Sequence, residues 1–323
     1  MQRSIIMNVL TIDIGGTFIK YAVMSDDGII LSRGKIETPQ NGRNELVETL
    51  AGLYRQEGEK FNIDGMAISL PGIVDSKNGY VVMGGALRYN DDFYLRHALY
   101  QHCPVHIVLE NDAKCAVMAE ATVGSLKDVR NGFALIFGTM VGGGFVKDRE
   151  LYRGKHFSAG EVSYIITSRS VDPSIEGVWG NQCSTLSLCN RYARIKGRPV
   201  EEVDGIRFFQ AVEDGDPDAR SCLDKFAHEV AIQIFNIQNV LDPDRFAIGG
   251  GISAQPTLID AIRTNLNRLY AYCPYHVAQA EVVTCKFQND ANLVGALQCY
   301  LADVKDGEGA ESFDTVREAA LPA

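Results

Sequence analysis

A strand, a glycine turn and a second strand occur twice along this 323-residue chain, at residues 9–24 and again at 133–149. In the first copy Val9-Leu-Thr-Ile-Asp13-Ile14 reads as a strand and Gly15-Gly16 breaks it. Residues 17–24 form the second strand, and Ser25-Asp-Asp-Gly28 turns into a third over 29–36. In the second copy Phe133-Ala-Leu-Ile-Phe137 is the strand and Gly138-Thr139 the turn, and Gly142-Gly143-Gly144-Phe-Val146 opens the next strand. The copies share little sequence beyond the turn. Such a repeat predicts two related α/β halves that face one another, with their glycine turns aimed at a common cleft.

Between and after the copies, helices alternate with buried strands. The first half continues with a polar helix over 43–56, a strand over 65–70 stopped by Pro71-Gly72, a helix near 92–100, a strand over 105–109 and a helix from Asn111 to about 121. The second half holds a strong helix over 218–240, where Leu223, Phe226, Val230, Ile234 and Ile237 recur at helical spacing. A strand over 245–248, glycines 249–251, a helix from about 257, a strand over 281–286 and a helix over 290–300 complete it. The polar stretch from 306 reads as a loosely held tail. The predicted division is a small domain over 1–118 joined by the helix at 290–303, a large domain over 119–289, and a tail over 304–323.

A formal charge of −10 gives no electrostatic reason to seek nucleic acid or an anionic membrane surface. No run approaches the ~18 apolar residues of a membrane helix. MQRSIIMNVL is too short in its apolar stretch for a secretory leader, so the cytoplasm is the expected compartment. The eight cysteines are scattered with no C-x-x-C pair, and they read as small buried hydrophobes in a reducing compartment.

Four segments carry residue types suited to phosphate chemistry. In Asp13-Ile-Gly-Gly-Thr17 the glycines Gly15 and Gly16 allow a tight bend that brings N–H groups against phosphate oxygens, with the Thr17 hydroxyl as a further donor. Asp13 is placed to orient a water on Mg²⁺, and Lys20 to lie near the phosphates; the alternative is a plain hairpin turn. Gly138, Thr139 and Gly143 belong to a second glycine-dense turn without a P-loop lysine, whose alternative is a bulged strand. Gly250 and Gly251 follow a strand and precede a helix, where a nucleotide can lie against backbone; taken alone, the turn reads first as a tight strand-to-helix connection. In Glu110-Asn-Asp-Ala113, either Asn111 or Asp112 caps a helix; the functional reading makes Asp112 the acceptor of an attacking hydroxyl's proton. Glu161, in Ala159-Gly-Glu161, either presents a carboxylate to substrate hydroxyls or is an exposed loop glutamate. Trp179 is placed either to stack on a sugar ring or to pack in the core, and His102-Cys-Pro-Val-His106 reads as structural.

Together these residues resemble the ROK sugar kinases of the actin-like superfamily, over about residues 8–301. The resemblance rests on Asp13-Ile-Gly-Gly-Thr17, Leu70-Pro-Gly-Ile-Val-Asp75, Glu110-Asn-Asp-Ala113, Gly138-Thr139 with 142–144, Ala159-Gly-Glu161 and Ile248-Gly-Gly-Gly-Ile252, in the family's order. Within the family the chain is similar to bacterial β-glucoside kinases, through Met83-Gly-Gly-Ala-Leu-Arg88 with Phe93, Glu161 with Tyr164, and 248–256. The resemblance implies a two-domain, ribonuclease H-like α/β fold with a cleft between the domains. It implies Asp112 as catalytic base on a hexose C6 hydroxyl, with Asn111, Glu161 and the backbone of Gly72 beside the sugar. Asp13, Gly15, Gly16, Thr17, Lys20, Gly138, Thr139 and Gly143 would lie around the phosphates of ATP and Mg²⁺, and Gly250 and Gly251 against the adenosine. A cytoplasmic homodimer is also implied.

Many members of the family carry zinc on a Gly-Glu-x-Gly-His motif and a cysteine cluster. Here Tyr164 takes the histidine's place and the later region reads Glu176-Gly-Val-Trp-Gly-Asn-Gln-Cys183-Ser, so no zinc is expected. Since that histidine also touches the sugar's anomeric end in zinc-bearing members, its replacement leaves room for an aglycone. The expected activity is ATP-dependent phosphorylation of a β-glucoside such as cellobiose or gentiobiose, with glucose or N-acetylmannosamine as the alternative acceptor. A sugar-sensing regulator is a reading of another class. Only twelve residues precede Asp13, which argues against the DNA-binding segment a regulator needs.

Overall fold

The computed structural model describes residues 7–168, 174–273 and 278–307. It divides into two compact units. One takes the described residues up to Ala119, with Lys155–Phe157 and those from Asp290 onward; the other takes Glu120–Gly154 and Ser158–Asn289.

The first unit opens with β1 (Asn8–Ile14), β2 (Phe18–Ser25) and β3 (Ile30–Glu37), followed by α1 (Arg43–Gly58) and β4 (Gly65–Leu70). A small hairpin of β5 (Ile73–Asp75) and β6 (Tyr80–Met83) precedes α2 (Leu95–Tyr100), β7 (His106–Asn111) and the start of α3 (Asp112–Val123). The sheet order is β3-β2-β1-β4-β7. β1 runs antiparallel to β2 and parallel to β4, which runs parallel to β7. Central strands such as β4 (GMAISL) are buried throughout and read as apolar runs, as strands covered on both faces must. β3 alternates half-buried and exposed residues, and its Arg33 and Lys35 guard a sheet edge.

The second unit repeats this plan. β8 (Gly132–Phe137), β9 (Val141–Lys147) and β10 (Glu150–Tyr152) are followed by α4 (Trp179–Gln182), α5 (Thr185–Ile195), α6 (Gly205–Glu213) and α7 (Pro217–Leu241). Then come β11 (Arg245–Gly249), α8 (Pro256–Tyr272) and β12 (Val282–Thr284). The order β10-β9-β8-β11-β12 is that of the first sheet, with β8 antiparallel to β9 and parallel to β11. All five apolar residues that predict α7 are buried in its face. Trp179, Phe137, Phe208, Phe226 and Phe246 build the core beneath the sheet.

The last helix, α9 (Ala291–Lys305), packs on β1, β4 and β7 of the first unit. It outruns the expected end at residue 300, and the expected tail lies outside the described residues from 308 onward. The helix expected near 92–100 begins only at Leu95, because a backbone bridge from Phe93 to Val81 holds the preceding segment extended. The strand expected over 281–286 is shortened to Val282–Thr284. No helix among the described residues is long and apolar enough to cross a membrane.

Candidate active site

In the first unit, one register row across β2, β1, β4 and β7 carries Lys20, Asp13, Ser69 and Glu110. Ser69 donates its hydroxyl to Asp13 Oδ1 at 3.1 Å, and Asn292 of α9 donates Nδ2 to the same oxygen at 2.9 Å. Burial pushes the Asp13 carboxyl above its ordinary value, while these two hydrogen bonds and the charge of Lys20 pull against that rise.

Beyond Asp13 the chain bends through Gly15, whose N–H donates to Phe18 O at 3.0 Å. The turn's carbonyls are taken up by the segment after β3: Thr38 Oγ1 donates to Gly15 O at 2.7 Å, Gln40 Nε2 to Gly16 O at 3.0 Å, and Thr38 N to Thr17 O at 2.9 Å. Gly16 and Thr17 are exposed. What this turn has to offer a ligand is therefore N–H groups and a hydroxyl, which suits an anion.

At the same edge of the sheet β7 hands over to α3. Asn111 Oδ1 accepts the N–H of Lys114 at 3.0 Å, so Asn111 is the residue that caps the helix. Its Nδ2 donates to Gly72 O at 2.8 Å and to Asp112 Oδ1 at 3.0 Å. The N–H of Ala113 reaches that same Asp112 oxygen at 2.8 Å, and buried Glu110 accepts the N–H of Asn111 at 2.9 Å. Asp112 is half-buried in the first turn of α3, where a carboxylate can serve as a base. Gly72 has φ 101°, and a side chain there would overlap Met83 O, so the turn beside Asn111 requires glycine.

In the second unit the Gly138-Thr139 turn is exposed, and Thr185 at the start of α5 braces it. The Thr185 N–H donates to Gly138 O at 3.1 Å and its hydroxyl to Phe137 O at 3.1 Å. Gly250 has φ 93° and lies so close to the Phe137 backbone that a Cβ would overlap it, which brings the Gly250-Gly251 turn against the root of Gly138-Thr139. Gly143, by contrast, is buried in β9 and packs against Gly160 and Val162. Met140 follows the turn, and its methyl lies against Gly180, which has no side chain to obstruct it. Glu161 is half-buried ahead of a short helical turn at Val162–Tyr164, and Tyr164 is 49% exposed.

The structure thus gathers Asp13, Gly15, Gly16, Thr17, Lys20, Gly72, Asn111 and Asp112 at one sheet edge of the first unit. It gathers Gly138, Thr139, Gly250 and Gly251 at the equivalent edge of the second. Such carboxyl-end edges are where ligands bind in open α/β sheets. Trp179 is fully buried, edge-on to Phe137 at 6.2 Å, and belongs to the core. His106 pairs with Asp303 at 2.7 Å. All eight cysteines are free thiols, and burial pushes Cys183 up to about 12 and Cys103 and Cys189 to about 11. Among the described residues no group of three or more His, Cys, Asp or Glu is gathered to hold a metal ion. Ser69 and Asn292 join the site without having been singled out by sequence, and Glu110, quoted there only as part of its segment, gains a partner in the Asn111 N–H.

Residues 9–303 match the model of the ROK family. The β-glucoside kinase of Listeria monocytogenes is 31% identical over 92% of this chain and 98% of its own length. The β-glucoside kinase of Klebsiella pneumoniae is 29% identical over 90% and 95% respectively. Among solved structures, a ROK family protein from Streptococcus pneumoniae in complex with sucrose superposes with a TM-score of 0.84 and 28% identity, covering 93% of this chain and all of that one.

Proposed function

The chain belongs to the ROK family and is an ATP-dependent sugar kinase, and from that premise we propose that its acceptor is the 6-hydroxyl of a β-glucoside. The observation that carries the chemistry is Asp112, held at the start of α3 with one oxygen fixed by Asn111 and the Ala113 N–H. In this reading the sugar oxygen forms its bond to the γ-phosphorus as the bond to ADP breaks. The hydroxyl proton passes to Asp112. Asn111, Glu161 and the Gly72 backbone orient the sugar's hydroxyls. Gly16 and Thr17 are what the first unit offers to phosphates; Gly138 and Thr139 are what the second offers to them, with Gly250 and Gly251 offered to the adenosine.

Asp13 fits Mg²⁺: it is a hard oxygen donor, half-buried, and among the described residues its side chain accepts hydrogen bonds on one oxygen from two neutral donors. Held through water, the ion supplies charge neutralisation for the phosphates. Asp13 and Lys20 are the chain's own groups on that side. The reading places the reaction in the cytoplasm, in a homodimer whose subunits divide into 1–118 with 290–303, and 119–289.

For the acceptor, the support is Tyr164 in place of the histidine and two β-glucoside kinase relatives spanning nearly the whole chain. A structural relative that holds a disaccharide adds to it. The test is an ATP-coupled screen across cellobiose, gentiobiose, glucose, N-acetylmannosamine and fructose. The expected result is a kcat/KM for a β-linked disaccharide at least about tenfold above that for glucose, the discrimination a pocket contact of 1–3 kcal/mol supplies. A preference for glucose or N-acetylmannosamine would overturn the glucoside reading.

A further inference from the structure

Asp13 receives its two side-chain hydrogen bonds on one oxygen, and one of them comes from 279 residues away in the sequence. We propose that Asn292, on the C-terminal helix α9, is a positioning residue for Asp13, fixing which carboxylate oxygen is turned into the protein. The inference rests on the reading of Asp13 as the carboxylate on the magnesium–phosphate side.

The placement of Asn292 is built in. One turn further along α9, a side chain at Gly295 would overlap the carbonyl of Cys115, so this helix meets α3 at backbone contact. Further along still, the Tyr300 ring occupies the space a side chain at Gly65 would take, and Asp303 pairs with His106 at 2.7 Å. α9 is therefore held along its length, and it delivers Asn292 to the end of β1 without relying on a loop. Asn292 stands at the head of the face formed by Gly295, Ala296 and Cys299, which are buried. A polar side chain at the head of such a face is expected to find a partner. Its partner is Asp13.

The chemistry of the pair fits the role. Two donors on one oxygen lock the carboxylate's rotamer, and bonds to an ionised acceptor are stronger than neutral ones. Because Asn292 and Ser69 are both neutral, they hold Asp13 without cancelling its charge. The nearby cation, Lys20, lies across the strand pair on the opposite side from Ser69. Residues that orient a carboxylate toward a metal ion, without touching the ion, set its affinity.

The experiment titrates the full-length protein with a fluorescent ATP analogue in Mg²⁺ and again in EDTA, for wild type, Asn292→Ala and Ser69→Ala, with Tm measured alongside. The expected result is an affinity in Mg²⁺ weakened about tenfold in each variant, with binding in EDTA and Tm unchanged. KM for MgATP should rise more than kcat falls. If Asn292→Ala keeps the wild-type difference between Mg²⁺ and EDTA, the proposal is overturned. It is equally overturned if both variants lose affinity alike in Mg²⁺ and EDTA with a fallen Tm, since that marks a structural role only. A wild type that binds the nucleotide but phosphorylates none of the screened sugars would overturn the acceptor reading and leave Asn292's role standing.

Discussion

A carboxylate at the start of a helix can cap it or work for a ligand, and the Asn111-Asp112 pair divides those tasks between neighbours. Asn111 caps α3 through Lys114 N and ties itself to Gly72, so Asp112 is released from capping while one of its oxygens is fixed. Asp112→Asn preserves shape and the acceptor oxygen but removes the base. It is expected to lower kcat by about 10²–10⁴, with the sugar's Kd from calorimetry unchanged; near-native kcat would end the general-base assignment. Residues of this kind are legible in sequence because their chemistry is contiguous: Asp13 with its glycines, Asn111 with Asp112. Asn292 was not legible, since its partner lies at the other end of the chain. The one signal is an asparagine leading the small, buried face of Gly295, Ala296 and Cys299. Trp179 shows the converse, for an aromatic suited to a sugar ring is fully buried behind Phe137, and residue type alone does not distinguish the two.

Among the elements, α7 has a start fixed by side chains at one carboxylate. Asp216 accepts the Asp218 N–H at 2.9 Å, the Tyr192 hydroxyl at 2.8 Å and the Lys196 ammonium at 2.9 Å. Lys196, then Tyr192, holds the Asp216 carboxyl down to about 2, below its ordinary value of 3.8. A carboxyl whose pKa falls on folding stabilises the native state above its unfolded pKa. That contribution is lost as pH falls toward the folded value. Asp216→Ala is therefore expected to lower Tm at pH 7, and the gap to wild type should close between about pH 4 and pH 2; a gap that is flat with pH would sink the account. Elements were legible where apolar residues dominate a face: β4 was read to its exact bounds, and α7 to within a residue at each end. α5 went unread although its buried residues Leu188, Cys189, Tyr192 and Ala193 fall at helical spacing, since that stripe spans less than two turns. β5, β6 and β10 are three or four residues long, and pairing rather than local pattern makes them strands.

At the scale of the molecule, the repeated strand–turn–strand signal was legible as two related α/β halves, because glycine turns punctuate both copies at the same point; the strand order that the two sheets share was not. The return of the last helix to the first unit carries no local signal, and glycines test it. Gly52, in α1, has no neighbour within 4 Å of a would-be Cβ, whereas Gly295 in α9 has the Cys115 carbonyl in that space. The same substitution should then act with opposite signs. Gly52→Ala adds helix propensity and is expected to stabilise by about 0.5–1 kcal/mol. Gly295→Ala pushes α9 away from α3 and is expected to cost about 1–3 kcal/mol. Because Asn292 lies one turn earlier on α9, that displacement should also raise KM for MgATP, which Gly52→Ala leaves alone. Thermal and urea unfolding read the first effect and steady-state kinetics the second. If Gly295→Ala proved neutral in both, backbone contact between α9 and α3 would not be what closes the first unit. The helix would then be held chiefly by its far end, where Tyr300 and Asp303 meet Gly65 and His106.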